Sequence, residues 1–80
     1  MLILYVKTGC PYCAKVFRVG EELQLTFDQK NIADPEIAAE LIEKGGKRQV
    51  PYLIDEEKDV AMYESDAIVD YLHQRFGMKM

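Results

Sequence analysis

A run of six apolar residues at the start of the sequence, Met1 to Val6, most constrains what this chain can fold into. A strand with apolar side chains on both faces must be covered by other elements on both sides. Lys7-Thr8-Gly9 breaks the run, and Pro11 then suits the first turn of a helix, where no backbone amide proton is needed. The sequence therefore predicts an internal strand that passes directly into a helix.

Turn residues and helix caps divide the rest of the chain into short elements. The predicted elements are a first helix ending near Glu22 or Leu23, a strand over Leu25–Asp28, a second helix from Asp34-Pro35 to Gly45-Gly46, strands over Val50–Ile54 and Val60–Tyr63, and a last helix capped by Ser65 and ended by Gly77. Apolar residues at helical spacing are expected to face the core: Cys13, Val16, Phe17 and Gly20 in the first helix, Ile37, Ala38, Leu41 and Ile42 in the second, and Ile68, Val69, Leu72 and Phe76 in the third.

The predicted order is β-α-β-α-β-β-α. A strand–helix–strand start implies a right-handed parallel crossover, and the late pair of strands implies a hairpin. We expect an α/β fold in which a four-stranded mixed sheet carries helices on both faces, as a single domain over residues 1–80.

Composition excludes several classes of partner. The chain has 10 Lys and Arg against 14 Asp and Glu, a formal net charge of −4, whereas a nucleic-acid-binding face needs basic side chains that displace counterions from phosphates. The longest apolar run is far short of the roughly 20 residues that a membrane span needs. Since no secretory signal is indicated either, we expect a cytoplasmic protein without nucleic-acid or membrane partners, and a monomer.

Two cysteines, in Cys10-Pro11-Tyr12-Cys13, stand where the first strand passes into the first helix. Only the thiolate is nucleophilic, and a cysteine with an ordinary pKa of about 8.5 is only about 3% thiolate at pH 7. Free amides and the dipole at a helix start favour the anion, and Lys7 adds a nearby positive charge. We therefore expect Cys10 to be a catalytic nucleophile and Cys13, one turn further in, to be the resolving thiol of a redox disulfide.

Three other interpretations of the cysteine pair remain open. A zinc site needs four ligands, and His73 adds only one imidazole to the two thiols, so we expect no metal. A structural disulfide between positions so close together removes little chain entropy. Two unrelated buried cysteines are also possible, because free cysteine is a common core residue.

The chain resembles a glutaredoxin, of the thioredoxin-fold superfamily, over essentially its whole length. The most specific element is Tyr5-Val6-Lys7-Thr8-Gly9-Cys10-Pro11-Tyr12-Cys13, which matches the strand, upstream lysine and active-site tetrapeptide of that family. The second is Lys47-Arg48-Gln49-Val50-Pro51-Tyr52-Leu53-Ile54, which resembles its basic loop and Val-Pro pair.

The resemblance implies glutathione as the partner thiol. In that family the bond before the proline is cis, and the valine main chain pairs with the cysteinyl backbone of glutathione, which would fall here to Val50 and Pro51. Lys7 and Arg48 would hold the glycine carboxylate, with Gln49 a weaker candidate. Tyr12 would line the rim of the site.

A third region departs from the glutaredoxin pattern. Glu64-Ser65-Asp66 looks more like the Glu-Ser element of glutathione transferase N-terminal domains, which binds the γ-glutamyl end of glutathione. Amides at the start of the last helix can receive a carboxylate, Ser65 can donate a hydrogen bond, and Glu64 or Asp66 can pair with the ammonium. Alternatively, Ser65 is only a helix cap and Asp66 only complements the helix dipole. Because the chain ends where a transferase would begin its helical second domain, we do not expect a transferase.

The sequence thus predicts a glutathione-dependent thiol–disulfide oxidoreductase that reduces disulfide-bearing or glutathionylated proteins. Glutathione would be the electron-donating co-substrate, with no tightly bound cofactor. Two alternatives stay open: a redoxin reduced by thioredoxin reductase, and a non-enzymatic module that binds glutathione or an iron–sulfur cluster.

Overall fold

The computed structural model describes residues 2–77, and its elements follow in the predicted order. They are β1 (Leu2–Val6), α1 (Pro11–Glu22), β2 (Phe27–Asn31), α2 (Pro35–Gly45), β3 (Tyr52–Asp55), β4 (Val60–Tyr63) and α3 (Ser65–Phe76). The strands form one sheet in the order β2-β1-β3-β4, parallel between β1 and β2 and antiparallel elsewhere. The predicted thioredoxin-like α/β fold is confirmed; Met1, predicted as the first strand residue, lies outside the described residues.

The central strand β1 is buried on both faces, as its apolar run predicts. Leu4 and Tyr5 are neighbours that point to opposite faces of the sheet, and both are fully buried. Leu4 belongs to the larger core cluster, which α1 and α3 cover. Tyr5 belongs to a smaller cluster on the other face, which α2 covers.

The helix α2 is held to its face of the sheet by both apolar and polar contacts. Ala38 and Leu41 are buried, and the Tyr5 hydroxyl donates a hydrogen bond to Glu40, which also pairs with Lys30 at 3.1 Å. The prediction that Ile42 faces the core is wrong, because its side chain is 45% exposed on the outer side of the helix.

Both ends of α2 follow the capping rules, whereas the start of α3 does not. The Asp34 side chain accepts a hydrogen bond from the Glu36 amide at 2.9 Å, and Gly46 ends α2 in the left-handed region with φ of 90°. The predicted capping role of Ser65 is wrong: Glu64 is the N-cap of α3, Ser65 is its first residue, and no side chain caps this helix.

The second and third strands begin two residues later than predicted. The helix α1 ends at Glu22, and the Leu25 amide still donates a hydrogen bond to the Gly20 carbonyl of α1 at 2.8 Å, so Leu25 does not start a strand. Pairing between β1 and β2 then runs from Leu2↔Phe27 to Val6↔Asn31. Pairing of β3 with β1 begins only at Tyr52, after Pro51.

A buried carboxylate ties α3 to the β3–β4 hairpin. Asp55 is 1% exposed and accepts hydrogen bonds from the Tyr71 hydroxyl and from Arg75 Nε, both at 2.6 Å, and from the Glu57 amide at 3.1 Å. Burial alone would raise the pKa of Asp55, but the hydrogen bonds from Tyr71 and Arg75 and the positive charge of Arg75 outweigh it, so the pKa lies below its ordinary value. The ionised carboxylate therefore stabilises the folded state.

No helix within residues 2–77 is long and apolar enough to cross a membrane.

The variant Asp55→Asn tests this buried carboxylate. We expect it to lower the free energy of unfolding at pH 7 by about 1–3 kcal/mol, since hydrogen bonds to a charged acceptor are lost. Because the folded-state pKa lies below the unfolded value of about 3.9, the stabilisation by ionised Asp55 is complete above that value and is lost as the pH falls through the folded-state pKa. Urea unfolding followed by circular dichroism at several pH values between 7 and 3 measures both effects.

The exposed Asp70 on the same helix provides the matched control. Asp70→Asn should change the free energy of unfolding by no more than about 0.5 kcal/mol. Equal stability of wild type and Asp55→Asn at pH 7, or a stability difference that does not shrink in acid, would contradict the assignment.

Candidate functional site

Three chain segments meet at one edge of the sheet because of the strand directions. The edge carries the end of β1 with the start of α1, the start of β3 with Val50 and Pro51 before it, and the end of β4 with the start of α3. Since β3 is antiparallel to both β1 and β4, these termini lie on the same side. All of the sequence-predicted site residues lie in or beside these segments.

Cys10 is the N-cap residue of α1. Its backbone is extended (φ −81°, ψ 117°), Pro11 occupies the first turn, and the Cys13 amide donates a hydrogen bond to Cys10 Sγ at 3.3 Å. Burial would by itself raise the pKa of Cys10, but hydrogen bonds from the Cys13 thiol and from the Cys13 and Tyr12 amides, with the charge of Lys7, bring it below the ordinary value. The helix start therefore favours the Cys10 thiolate.

Cys13 is a different kind of thiol. It is 1% exposed in the larger core cluster, and burial, together with the hydrogen bond to Cys10, raises its pKa to about 11. Both thiols are free. The roles of Cys10 as nucleophile and of Cys13 as resolving thiol, and the redox disulfide between them, stay predictions.

A groove of about 410 Å³ lies between α1, the segment before β3 and the start of α3. Its lining residues are Tyr12, Lys15, Gln49, Val50, Pro51, Glu64, Ser65 and Asp66. Six of these were predicted as glutathione-binding residues, namely Tyr12, Val50, Pro51, Glu64, Ser65 and Asp66, and Gln49 was a weaker candidate. The Val50–Pro51 peptide bond is cis, as expected.

The start of α3 forms one end of this groove. Ser65 is largely buried, with 8% exposure, and Glu64 has φ of 74°, in the left-handed region. The N-cap side chain accepts no hydrogen bond from the first amides of α3. These amides can therefore donate hydrogen bonds to a bound anion. Glu64 Oε2 accepts from Gln49 Nε2 at 3.4 Å, and Asp66 forms an ion pair with Lys15 across the groove.

The structure separates the remaining predicted residues from this groove. Lys7 and Cys10 line an adjoining hollow of about 420 Å³ between the start of α1 and β2. Arg48 is exposed and lines neither hollow, although it directly precedes Gln49. Tyr12 is 63% exposed at the rim.

Sequence reasoning missed Lys15. It lies three residues after Tyr12 on α1, so both side chains project from the same face of the helix, and this spacing was the available signal. The Lys15 ammonium supplies a positive charge to a groove that also contains the carboxylates of Glu64 and Asp66. Within residues 2–77, no group of three or more His, Cys, Asp and Glu side chains could hold a metal ion.

Known proteins share both the sequence pattern and the fold. The family described as "Glutathione S-transferase, N-terminal domain" matches residues 4–79. The glutathione S-transferase GstB of Escherichia coli (strain K12) is 32% identical over 83 aligned positions, which cover 99% of this chain and 39% of GstB. This chain therefore spans about two fifths of the length of the curated relatives that it matches.

Two solved structures give the same result. A glutathione S-transferase from the Antarctic clam Laternula elliptica has 32% identity and a TM-score of 0.80, over 95% of this chain and 35% of the clam protein. The glutathione transferase URE2P6 from Phanerochaete chrysosporium, in complex with oxidized glutathione, has 31% identity and a TM-score of 0.80, over 95% of this chain and 36% of that protein.

These comparisons overturn the glutaredoxin assignment, and with it the predicted disulfide-reductase activity on disulfide-bearing or glutathionylated proteins. The alternatives of a redoxin reduced by thioredoxin reductase and of an iron–sulfur module fall as well. The expectation that this is not a transferase domain was also wrong, because the end of the sequence carries no information about the length of the whole protein. The cysteine pair and the cis-proline segment indicate the shared fold, whereas Glu64-Ser65-Asp66 was the element that pointed to the correct family. The chain belongs to the glutathione S-transferase N-terminal domain family.

Proposed function

We propose that this chain is the glutathione-binding domain of a glutathione transferase. One observation carries the proposal: a single groove collects a backbone segment outside the sheet ladder, an uncapped helix start with a buried serine, and two carboxylates. These groups match the three polar features of an extended γ-glutamyl peptide, namely its backbone, its carboxylate and its ammonium. The relatives with bound glutathione support the same ligand.

The γ-glutamyl end binds at the start of α3. Its α-carboxylate accepts hydrogen bonds from the first amides of the helix and from the Ser65 hydroxyl, where the helix dipole also favours a negative charge. Its ammonium pairs with Glu64 or Asp66. Lys15 pairs with Asp66 and so offsets one of the two negative charges of the groove.

The cysteinyl residue of glutathione lies along Val50. Because pairing of β3 begins at Tyr52, the backbone of Val50 is outside the ladder and can pair with an added peptide as a strand would. The glycine carboxylate extends toward Arg48, which directly precedes Gln49 of the groove, while Lys7 in the adjoining hollow adds a more distant positive charge. Tyr12 covers the rim.

The cysteinyl sulfur of glutathione then lies beside the start of α1. The same amides and the same Lys7 charge that favour the Cys10 thiolate also favour a negative charge on the glutathione sulfur. The glutathione thiol loses its proton to solvent, and the resulting thiolate can attack an electrophilic carbon that carries a leaving group. The sulfur lone pair forms the carbon–sulfur bond while the leaving group departs with the electron pair of the bond that breaks, which is the group transfer of a transferase. Glutathione is thus a co-substrate and not a tightly held cofactor.

The variant Ser65→Ala tests the γ-glutamyl end of the proposed site. We expect its Kd for glutathione to rise about tenfold, because a hydrogen bond from a buried hydroxyl to a charged carboxylate is lost. Ser65→Thr keeps the hydroxyl and should retain more of the affinity than Ser65→Ala. Isothermal titration calorimetry of the chain with reduced glutathione measures each Kd.

Thr26→Ala is the matched control. It removes a hydroxyl from an exposed residue that lies between α1 and β2 and does not line the groove, so the Kd should stay at the wild-type value. Wild-type affinity in Ser65→Ala would show that the hydroxyl is not a contact. Failure of the wild-type chain to bind glutathione would reject the proposed function.

Alkylation tests the placement of Cys10 beside the bound sulfur. Iodoacetamide should modify Cys10 with a midpoint below the pKa of an ordinary cysteine, because hydrogen bonds from Cys13 and the charge of Lys7 lower its pKa. S-methylglutathione, which has no free thiol to consume the reagent, should slow this reaction by filling the groove. Mass spectrometry identifies the modified residue, and the rate is measured from pH 5 to 10.

Cys10→Ser provides the control for this experiment. The remaining Cys13 should stay unmodified over most of this range, since burial, the largest cause of its raised pKa, does not depend on Cys10. Modification of Cys13 before Cys10 would contradict the assignment of the reactive thiol. Unchanged modification of Cys10 in saturating S-methylglutathione would contradict its placement in the site.

A further inference from the structure

Tyr63, the last residue of β4, makes two hydrogen bonds with the backbone of one residue in the segment that leads into the groove. We call residues 46–50 the groove loop; it contains neither helix nor strand. The Tyr63 hydroxyl donates to the Lys47 carbonyl at 2.8 Å and accepts from the Lys47 amide at 3.1 Å. One phenol therefore satisfies both backbone groups of a loop residue.

The ring of Tyr63 is held firmly enough to serve as an anchor. It packs on the Tyr52 ring with the two ring centroids 4.4 Å apart. The Lys47 ammonium lies 4.8 Å from the centroid of the Tyr63 ring. Gly45 makes room for it, since a Cβ at that position would lie 2.2 Å from the Tyr63 hydroxyl oxygen. The end of α2 is thus shaped to admit this side chain.

Tyr63 also holds the far end of the same segment. In the β3–β4 ladder it pairs with Tyr52, which directly follows Pro51. The chain from Arg48 to Pro51 therefore runs between two attachments to one residue: the hydroxyl contact at Lys47 and the strand pairing at Tyr52. The Val50 backbone and the Gln49 side chain both lie in this span and line the groove.

The opposite wall of the groove begins at the next residue. Glu64 is the N-cap of α3 and accepts a hydrogen bond from Gln49, and Ser65 follows it. Any shift of the groove loop relative to Tyr63 therefore changes the distance between the Val50 backbone and the start of α3. These are the two parts of the groove that a bound peptide must contact at once.

We propose that Tyr63 is a positioning residue for the glutathione site: its hydroxyl fixes the groove loop, and so fixes the Val50 backbone at the correct separation from the start of α3. This inference rests on the proposed function. Tyr63 does not itself line the groove, so its effect on affinity acts through the loop. A preorganised loop binds more tightly because less ordering remains to be done on binding.

The variant Tyr63→Phe removes the hydroxyl and keeps the ring. We expect the Kd for glutathione to rise about three- to tenfold, the effect of one or two lost hydrogen bonds. In the ligand-free chain, we expect amide hydrogen exchange in residues 46–50 to become faster by a similar factor, while exchange in β1 and β3 is unchanged. Calorimetry and hydrogen exchange followed by mass spectrometry give these two measurements.

Tyr71→Phe is the matched control, because it also removes a hydrogen-bonded phenol hydroxyl, from a residue that does not line the groove. It should lower stability through Asp55, leaving both the glutathione Kd and the exchange of the groove loop at wild-type values. Weaker binding with faster exchange confined to residues 46–50 in Tyr63→Phe supports the proposal.

Three results overturn it, and they are distinguishable from failure of the proposed function. Wild-type affinity in Tyr63→Phe would show that the hydroxyl does not position the site. Faster exchange throughout the sheet would show a general structural role, as would an equal loss of affinity in Tyr71→Phe. If the wild-type chain itself does not bind glutathione, the proposed function fails, whereas the exchange of the ligand-free loop still decides whether Tyr63 fixes it.

Discussion

Burial of β1 on both faces is the constraint on which the rest of the structure depends. Successive residues such as Leu4 and Tyr5 point to opposite sides, and both are fully buried, so each face of the sheet must carry helices. The strand must also be paired along both edges, with β2 on one side and β3 on the other. Parallel pairing with β2 requires the crossover through α1, and this crossover puts the start of a helix directly above the end of β1.

The same constraint sets the chemistry of the two cysteines. Cys10 lies at the helix start, where amide groups are free to interact with an anion, and its pKa is lowered even though burial opposes this. Cys13 lies one turn further along, where α1 packs on the sheet, and its pKa is raised to about 11. Two identical side chains three residues apart thus acquire opposite preferences, because one caps the helix and the other belongs to its buried face.

Local sequence signals predicted most of the fold, and they failed where a distant contact decides the outcome. The ends of α2 follow from Asp34 and the glycines at its C-terminus, whose preferences act within a few residues. The start of β2 depends on its register with β1, which no local pattern contains, and the hydrogen bond from the Leu25 amide to Gly20 of α1 leaves Phe27 as the first strand residue. Ile42 has apolar spacing and is still exposed, because Ala38 and Leu41 already fill the contact with the sheet.

In the candidate site, too, some features could be predicted from the sequence and others could not. Resemblance to known families identified the groove residues Val50, Pro51 and Ser65, since the Val-Pro pair and the Glu-Ser element are short motifs that lie at element boundaries. The chain was wrongly assigned to the glutaredoxins, because the cysteine pair indicates only the junction of β1 with α1, which proteins of this fold have in common. The discriminating element was Glu64-Ser65-Asp66, which lies at the start of α3 and not at that junction.

Tyr63 illustrates why the supporting contacts of a site are harder to predict than the site itself. From the sequence it is an aromatic residue at the end of a short strand, a position that favours burial and predicts nothing more. Its link to Lys47 requires three separate conditions: the pairing of β4 with β3, the stacking on Tyr52 and the absence of a side chain at Gly45. Each condition is set by a different element, so the contact exists only once the sheet and α2 have packed. The residues that line the groove lie in local turns, but the geometry of the groove can depend on Tyr63, which lies outside those turns.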